Sequence, residues 1–217
     1  FKNEAQSAAR LDHTNIARVY YVGEDDGWHF IVFEFIEGVN LRDLVNHKGP
    51  LPVHEALTYT LQAAAALDHA AQRDLVHRDI KPSNVLITPE GQAKLVDMGL
   101  ARLHQMESNS ADLTASGVTL GTFDYISPEQ ARDPRDADVR SDLYSLGFSA
   151  YELMCGPPFE ELALGLGALR SNTAGEDPWI EWHAAPDRRL PQISEVLEGV
   201  PEDLANVIQR LTEKDKA

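Results

Sequence analysis

The chain has 217 residues, with 19 Lys and Arg against 35 Asp and Glu, for a formal net charge of −16. This length can bury a substantial core, as one domain or as two closely joined lobes. The acidity excludes a nucleic-acid binder, which needs a basic face to neutralise phosphates, and argues equally against an anionic membrane surface.

Residues 2–11 (KNEAQSAARL) favour a helix, with Ala5, Ala8 and Leu11 on one face. His13-Thr14-Asn15 interrupts it. Residues 16–22 read as a strand and 23–27 (GEDDG) as a turn. Residues 28–35 (WHFIVFEF) read as a second, antiparallel strand, being aromatic and β-branched. A short helix is predicted over 41–46, closed by Lys48-Gly49-Pro50. Pro52 opens a long helix to about Gln72, with Leu57, Leu61, Ala64, Leu67 and Ala71 at helical spacing. Short strands at 85–87 and 94–96 are joined by Pro89-Glu90-Gly91. Residues 103–120 are rich in Ser and Thr and weakly periodic, which predicts a mobile loop. A helix over about 140–154 carries Leu143, Leu146, Phe148 and Leu153. Cys155, the only cysteine, follows Leu153-Met154 and reads as a buried, inert thiol; no intrachain disulfide can form, which suits a reducing compartment. Residues 171–191 look irregular, and a last helix is predicted from Glu202 to Glu213. No stretch reaches the roughly 18 apolar residues of a membrane-spanning helix. The pattern defines an α+β protein.

The residues that carry chemistry lie in three segments. The first is His77-Arg78-Asp79-Ile80-Lys81-Pro82-Ser83-Asn84. The second, Asp97-Met98-Gly99, follows the strand at 94–96. The third is Gly121-Thr122-Phe123-Asp124-Tyr125-Ile126-Ser127-Pro128-Glu129. Their order resembles the eukaryotic-like protein kinases, in the Ser/Thr branch and with the flavour of the bacterial enzymes: H-R-D with K-P-x-N, then D-F-G (here D-M-G), then G-T and A-P-E (here S-P-E). Asn3-Glu4-Ala5-Gln6, His13-Thr14-Asn15-Ile16 and Ser141-Asp142-Leu143-Tyr144-Ser145-Leu146-Gly147 add to the resemblance.

The resemblance implies a two-lobed kinase-like fold. Residues 1–36 would form a partial N-lobe, with helix C and two antiparallel strands. Residues 37–217 would form a mostly helical C-lobe, with a catalytic loop at 77–84 and an activation segment at 97–129. It implies transfer of the ATP γ-phosphoryl group to Ser and Thr hydroxyls of protein substrates, with ATP and Mg²⁺ as cofactors. A second copy of the kinase would be a partner for autophosphorylation, and the domain would be cytoplasmic.

Phosphoryl transfer needs positioning and charge neutralisation more than covalent chemistry. Asp79 suits the task of orienting the attacking hydroxyl and accepting its proton. Lys81 can neutralise the transferring phosphate. Asn84 and Asp97 offer the hard oxygen ligands that Mg²⁺ requires, at the two ends of a β-hairpin. The resemblance adds further assignments. Phe33 would be the gatekeeper, Glu34 and Ile36 would meet adenine through their backbones, and Glu37 would reach the ribose. Leu86 and Val96 would floor the adenine site, Ser83 would join the nucleotide contacts, and Glu4 would be the helix glutamate that pairs with a strand lysine. Asp142 would accept backbone N–H bonds from the catalytic loop, while His77 reads as packing beneath it. Arg78 would pair with a phosphorylated loop residue, with Thr114, Ser116 and Thr119 as regulatory candidates.

Met98 replaces the usual Phe of D-F-G. No Gly-rich loop and no strand lysine are written in these residues. The arginine that usually pairs with the glutamate of A-P-E, here Glu129, is missing as well. The sequence therefore reads as an internal fragment, expected to have little activity alone. A pseudokinase scaffold and a small-molecule phosphotransferase are the competing readings. Intact Asp79, Lys81, Asn84 and Asp97 weigh against the first, and Lys81 with the Gly121–Glu129 segment weighs against the second.

Overall fold

The computed structural model describes residues 2–98, 123–156, 159 and 178–215. The predicted loop at 103–120, with Thr114, Ser116 and Thr119, lies outside them.

The chain opens with helix α1 (Lys2–Ala8), which buries Ala5 and Ala8 against the rest of the protein. Strands β1 (Val19–Asp25) and β2 (Trp28–Phe33) form an antiparallel hairpin. Asp26 and Gly27 turn it with φ of 47° and 82°, the pair of positive angles that matches strand twist in a two-residue turn. The first strand begins later than the sequence pattern predicts. Ile16 and Ala17 belong to a different contact: Ala17 N–H donates to Leu95 O, and Leu95 N–H donates to Asn15 O, each at 2.8 Å. Asn15 itself is buried, and its side-chain amide donates to Ala93 O at 2.7 Å.

The second sheet has the order β3-β4-β5, all antiparallel, from Val39–Asn40, Val85–Ile87 and Ala93–Leu95. Asn40 also caps helix α2 (Leu41–Lys48), accepting from Asp43 N–H at 2.8 Å. Helix α3 (Val53–Ala71) takes its predicted place, but its buried face coincides with the predicted stripe only in part, through Leu67. Ala56, Tyr59, Ala63, Ala66, Leu67 and Ala70 point inward, and Leu61 is 60% exposed. Small side chains line this face because α3 packs against α5 (Val139–Cys155).

The remaining described helices are α4 (Pro128–Arg132), α6 (Pro178–Ala184), α7 (Ile193–Val196) and α8 (Glu202–Leu211). The centre is α5, started by a capping box of Asp138 and Ser141. Its Phe148 is fully buried, with Trp182 at 5.5 Å, His183 at 4.9 Å and Tyr144 at 4.9 Å between ring centroids. Trp179, Trp182 and His183 come from α6, inside the stretch that the sequence pattern leaves irregular. On another side of α5, a Cβ at Gly147 would lie 2.6 Å from Leu211 Cβ, so glycine is what lets α8 seat there. The small sheets and the helical body make the α+β, kinase-like class that the motifs imply.

Candidate active site

The loop 77–81 is bent tightly enough that Arg78 takes a left-handed φ of 70°. A non-glycine residue holds such an angle only where its surroundings dictate it. Here the dictation comes from Asp142 on α5, which is 2% exposed. Its Oδ2 accepts from His77 N–H and its Oδ1 from Arg78 N–H, each at 2.7 Å. Burial pushes the Asp142 carboxyl up, and the two N–H donors with His77 and Arg78 oppose that push. The His77 ring is fully buried. Its Nε2 lies 2.9 Å from Val96 O, a pure acceptor, so Nε2 carries the proton. That leaves Nδ1 to accept from Asp79 N–H at 3.3 Å.

Asp79, Lys81 and Asn84 come together at the loop's outer side. Lys81 Nζ lies 2.8 Å from Asp79 Oδ2. Pro82–Asn84 forms one 3-10 turn, which brings Asn84 back over the loop. Its amide donates to Asp79 O at 2.8 Å and to Asp79 Oδ2 at 3.0 Å. The Asp79 side chain is 40% exposed while that of Lys81 is 15% exposed, so the carboxylate is the more accessible of the pair.

Val96 N–H donates to Asn84 O at 3.0 Å, closing the β4–β5 hairpin at the end that carries Asn84 and Asp97. Asp97 is exposed and has φ of 59°, the second strained non-glycine residue at this site. Asn84 spends its NH₂ on Asp79 and keeps its carbonyl oxygen for another cation or donor. Among the described residues, no three His, Cys, Asp or Glu side chains converge into a metal cage. Two oxygen donors without a cage fit Mg²⁺, which binds through one or two protein oxygens plus phosphate.

The residues assigned to the nucleotide are spread over the end of β2, the segment that follows it, the 3-10 turn and the β4–β5 hairpin. Phe33 ends β2 and is half-buried, as are Ile36, Ser83, Leu86 and Val96; Glu37 is exposed. Val85 and Ile87 are buried and Leu86 is not, so Leu86 faces away from the core that they enter. Glu34 is held through its side chain: Oε1 lies 2.6 Å from Lys94 Nζ and accepts from Arg18 N–H at 2.9 Å. Burial pushes the Glu34 carboxyl up, but Lys94 and the Arg18 N–H outweigh it and hold it below its ordinary range. Glu4 lies on α1, and its side chain falls outside the described residues.

Residues 123–129 lie against α5 and α6. The Tyr125 hydroxyl is buried, accepts from Arg42 Nη2 at 2.9 Å and donates to Glu152. Ser145 Oγ donates to Tyr125 O at 2.7 Å, and His183 Nε2 lies 3.0 Å from Asp124 O. Met98, in place of the usual Phe, is 4% exposed and packs into the core. Arg42, Lys94 and His183 escape sequence reasoning because their partners lie 83, 60 and 59 residues away.

A strained loop presenting Asp79, Lys81 and Asn84, beside a hairpin that ends in Asp97, is the arrangement of a protein-kinase catalytic domain. Residues 1–216 match the protein kinase domain family, and the chain belongs to it. It is 36% identical over 219 residues to the serine/threonine-protein kinase PrkC of Bacillus subtilis, covering 99% of this chain and 30% of that protein. It is 37% identical to the serine/threonine-protein kinase PknL of Mycobacterium tuberculosis, covering 100% of this chain and 50% of that protein. With the serine/threonine-protein kinase PknB of Mycobacterium leprae it shares 40% identity over 164 residues, 73% of this chain and 26% of that protein. The chain thus spans half or less of the length of these relatives.

Proposed function

We propose that this chain is the catalytic part of a Ser/Thr protein kinase. The observation that carries the reading is the meeting of Lys81 Nζ and Asn84 Nδ2 on Asp79 Oδ2, at 2.8 and 3.0 Å. A carboxylate held in that way is fixed in direction, as a group that orients a hydroxyl and takes its proton must be. Lys81 is close enough to serve both Asp79 and an incoming phosphate. Mg²⁺ and ATP, when bound, supply the phosphoryl group and neutralise its charge. Asn84 and Asp97 would hold the metal, and Glu4, Phe33, Glu34, Ile36, Glu37, Ser83, Leu86 and Val96 would shape the nucleotide site. Residues 1–36 and 37–217 form the two lobes in this reading. Arg78 would meet a phosphate on Thr114, Ser116 or Thr119, placed there by a second copy of the kinase. No helix among the described residues is long and apolar enough to cross a membrane.

The test is transfer of ³²P from γ-labelled ATP to a Ser/Thr-containing protein substrate in the presence of Mg²⁺, with Asp79→Asn as the control. The label should appear as phosphoserine or phosphothreonine after acid hydrolysis and should be absent with the variant. Equal labelling by both proteins rules the assignment out.

A further inference from the structure

The peptide group between Arg78 and Asp79 is held at both of its polar atoms. Its N–H, on Asp79, donates to His77 Nδ1 at 3.3 Å. Its C=O, on Arg78, accepts from Gln130 Nε2 at 2.9 Å, from 52 residues away. Gln130 is 6% exposed and sits in the first turn of α4, directly after Ser127-Pro128-Glu129. Its other amide atom is committed too. Oε1 accepts from Ser127 N–H at 3.2 Å and from Ser127 Oγ at 3.1 Å. A backbone N–H can only donate, so the oxygen faces Ser127 and the NH₂ faces Arg78.

We propose that Gln130 is a positioning residue: it fixes the plane of the Arg78–Asp79 peptide, and through it the direction of the Asp79 carboxylate, only when the Ser127–Glu129 segment is in place. The left-handed Arg78 makes that plane the least self-supporting in the loop, since this residue type does not keep φ near 70° unaided. Asp142 holds the N–H groups of His77 and Arg78, upstream of that plane, and cannot fix the Arg78 carbonyl. Gln130 supplies that bond from the turn that carries Ser127-Pro128-Glu129. Formation of that turn and alignment of the carboxylate thus become a single event.

The inference rests on the kinase reading, and Gln130→Glu separates the two roles of the side chain. A glutamate at this position keeps the capping box with Ser127 and loses the donor to Arg78 O. In the full-length protein carrying this domain, Gln130→Glu should melt within a few degrees of wild type. Its kcat should fall on the order of 10- to 100-fold, the scale of a small misalignment at a reacting group. KM for ATP should stay unchanged. Amide hydrogen exchange over 77–81 should speed up about 10-fold, while the α4 amides stay protected. Gln130→Met, which removes both polar atoms at similar volume, should show the same loss of kcat. Wild-type kcat and exchange in Gln130→Glu overturn the proposal. So does the lack of a cooperative melt in both variants, since Gln130 would then hold the fold rather than Asp79. A wild-type protein without turnover overturns the kinase reading instead, and the exchange measurement then decides the inference by itself.

Discussion

Lys81 Nζ stands 2.8 Å from Asp79 Oδ2, an ion pair whose carboxylate is the more exposed partner. The pair fixes the direction of the Asp79 carboxylate and leaves room for a hydroxyl to approach it. Asp79→Asn retains the shape and removes the proton acceptor. Because the side chain is 40% exposed, the fold does not depend on its charge. The variant should melt within a few degrees of wild type and lose about 10²- to 10⁴-fold in kcat, the range for removing a positioned base. Steady-state kinetics on a peptide substrate, paired with a thermal melt, measure both quantities. A variant within threefold of wild type would remove Asp79 from the mechanism.

Asp142 works through the backbone. Asp142→Asn can accept from one of the His77 and Arg78 N–H groups but presents its own NH₂ to the other. One buried donor is then unsatisfied, which costs about 1–3 kcal/mol. Tm should drop by about 2–12 °C. The kcat should fall as well, since the frame of Asp79 loosens. Denaturant melts measure the first effect. A variant as stable as wild type would mean that the loop holds itself.

What the sequence pattern reveals here is local chemistry. The β4–β5 hairpin is written in adjacent residues, and it lies within one residue of where the pattern puts it. The buried face of α3 is harder to read. A stripe through Leu57 and Leu61 is more apolar than the alanine-rich one, yet Ala56, Ala63, Ala66 and Ala70, with Tyr59 and Leu67, are the residues buried where α3 packs against α5. Helix α6 is missed because its two tryptophans and His183 are stabilised by rings on α5 and by Phe159, partners that no local window contains. β3, two residues long, exists only through pairing with β4. At the site, the residue types of Asp79, Lys81, Asn84 and Asp97 were legible. The bonds from Gln130 and Lys94 were not, since they span 52 and 60 residues.

Cys155 ends α5 in a buried position. Burial pushes its thiol up to about 12, with the Tyr151 hydroxyl opposing. The thiolate is the reactive species, so at pH 7.5 the reactive fraction is on the order of 10⁻⁴ or less. Native protein should resist maleimide over an hour and take up one equivalent after unfolding in guanidinium. Rapid labelling of the native protein would show that α5 is accessible at its C-terminal end.

His183 makes the acid stability of the protein calculable in sign. It is fully buried, with Nε2 against Asp124 O at 3.0 Å and Nδ1 against Tyr144 Oη at 2.9 Å. The carbonyl requires the proton on Nε2, and Nδ1 then accepts from the tyrosine, so the neutral ring satisfies both contacts. Burial pushes its pKa down to about 3, and the nearby Lys214 ammonium adds to the shift. In the unfolded chain the ring titrates near its ordinary value of about 6.5. Between these two values the unfolded state binds a proton that the native state does not. Stability therefore falls as pH drops from about 6.5 towards 3, at up to about 1.4 kcal/mol per pH unit from this residue alone. His183→Gln should be less stable than wild type at pH 7.5, by about 1–3 kcal/mol for the disturbed hydrogen bonds. The variant does not titrate there, so the gap should narrow by about 2.7 kcal/mol by pH 4.5. Urea melts of both proteins at pH 7.5, 6.5, 5.5 and 4.5 give the gap directly. A gap that stays constant across that range would mean that His183 takes up its proton in the native state, against the geometry of the two bonds that it makes.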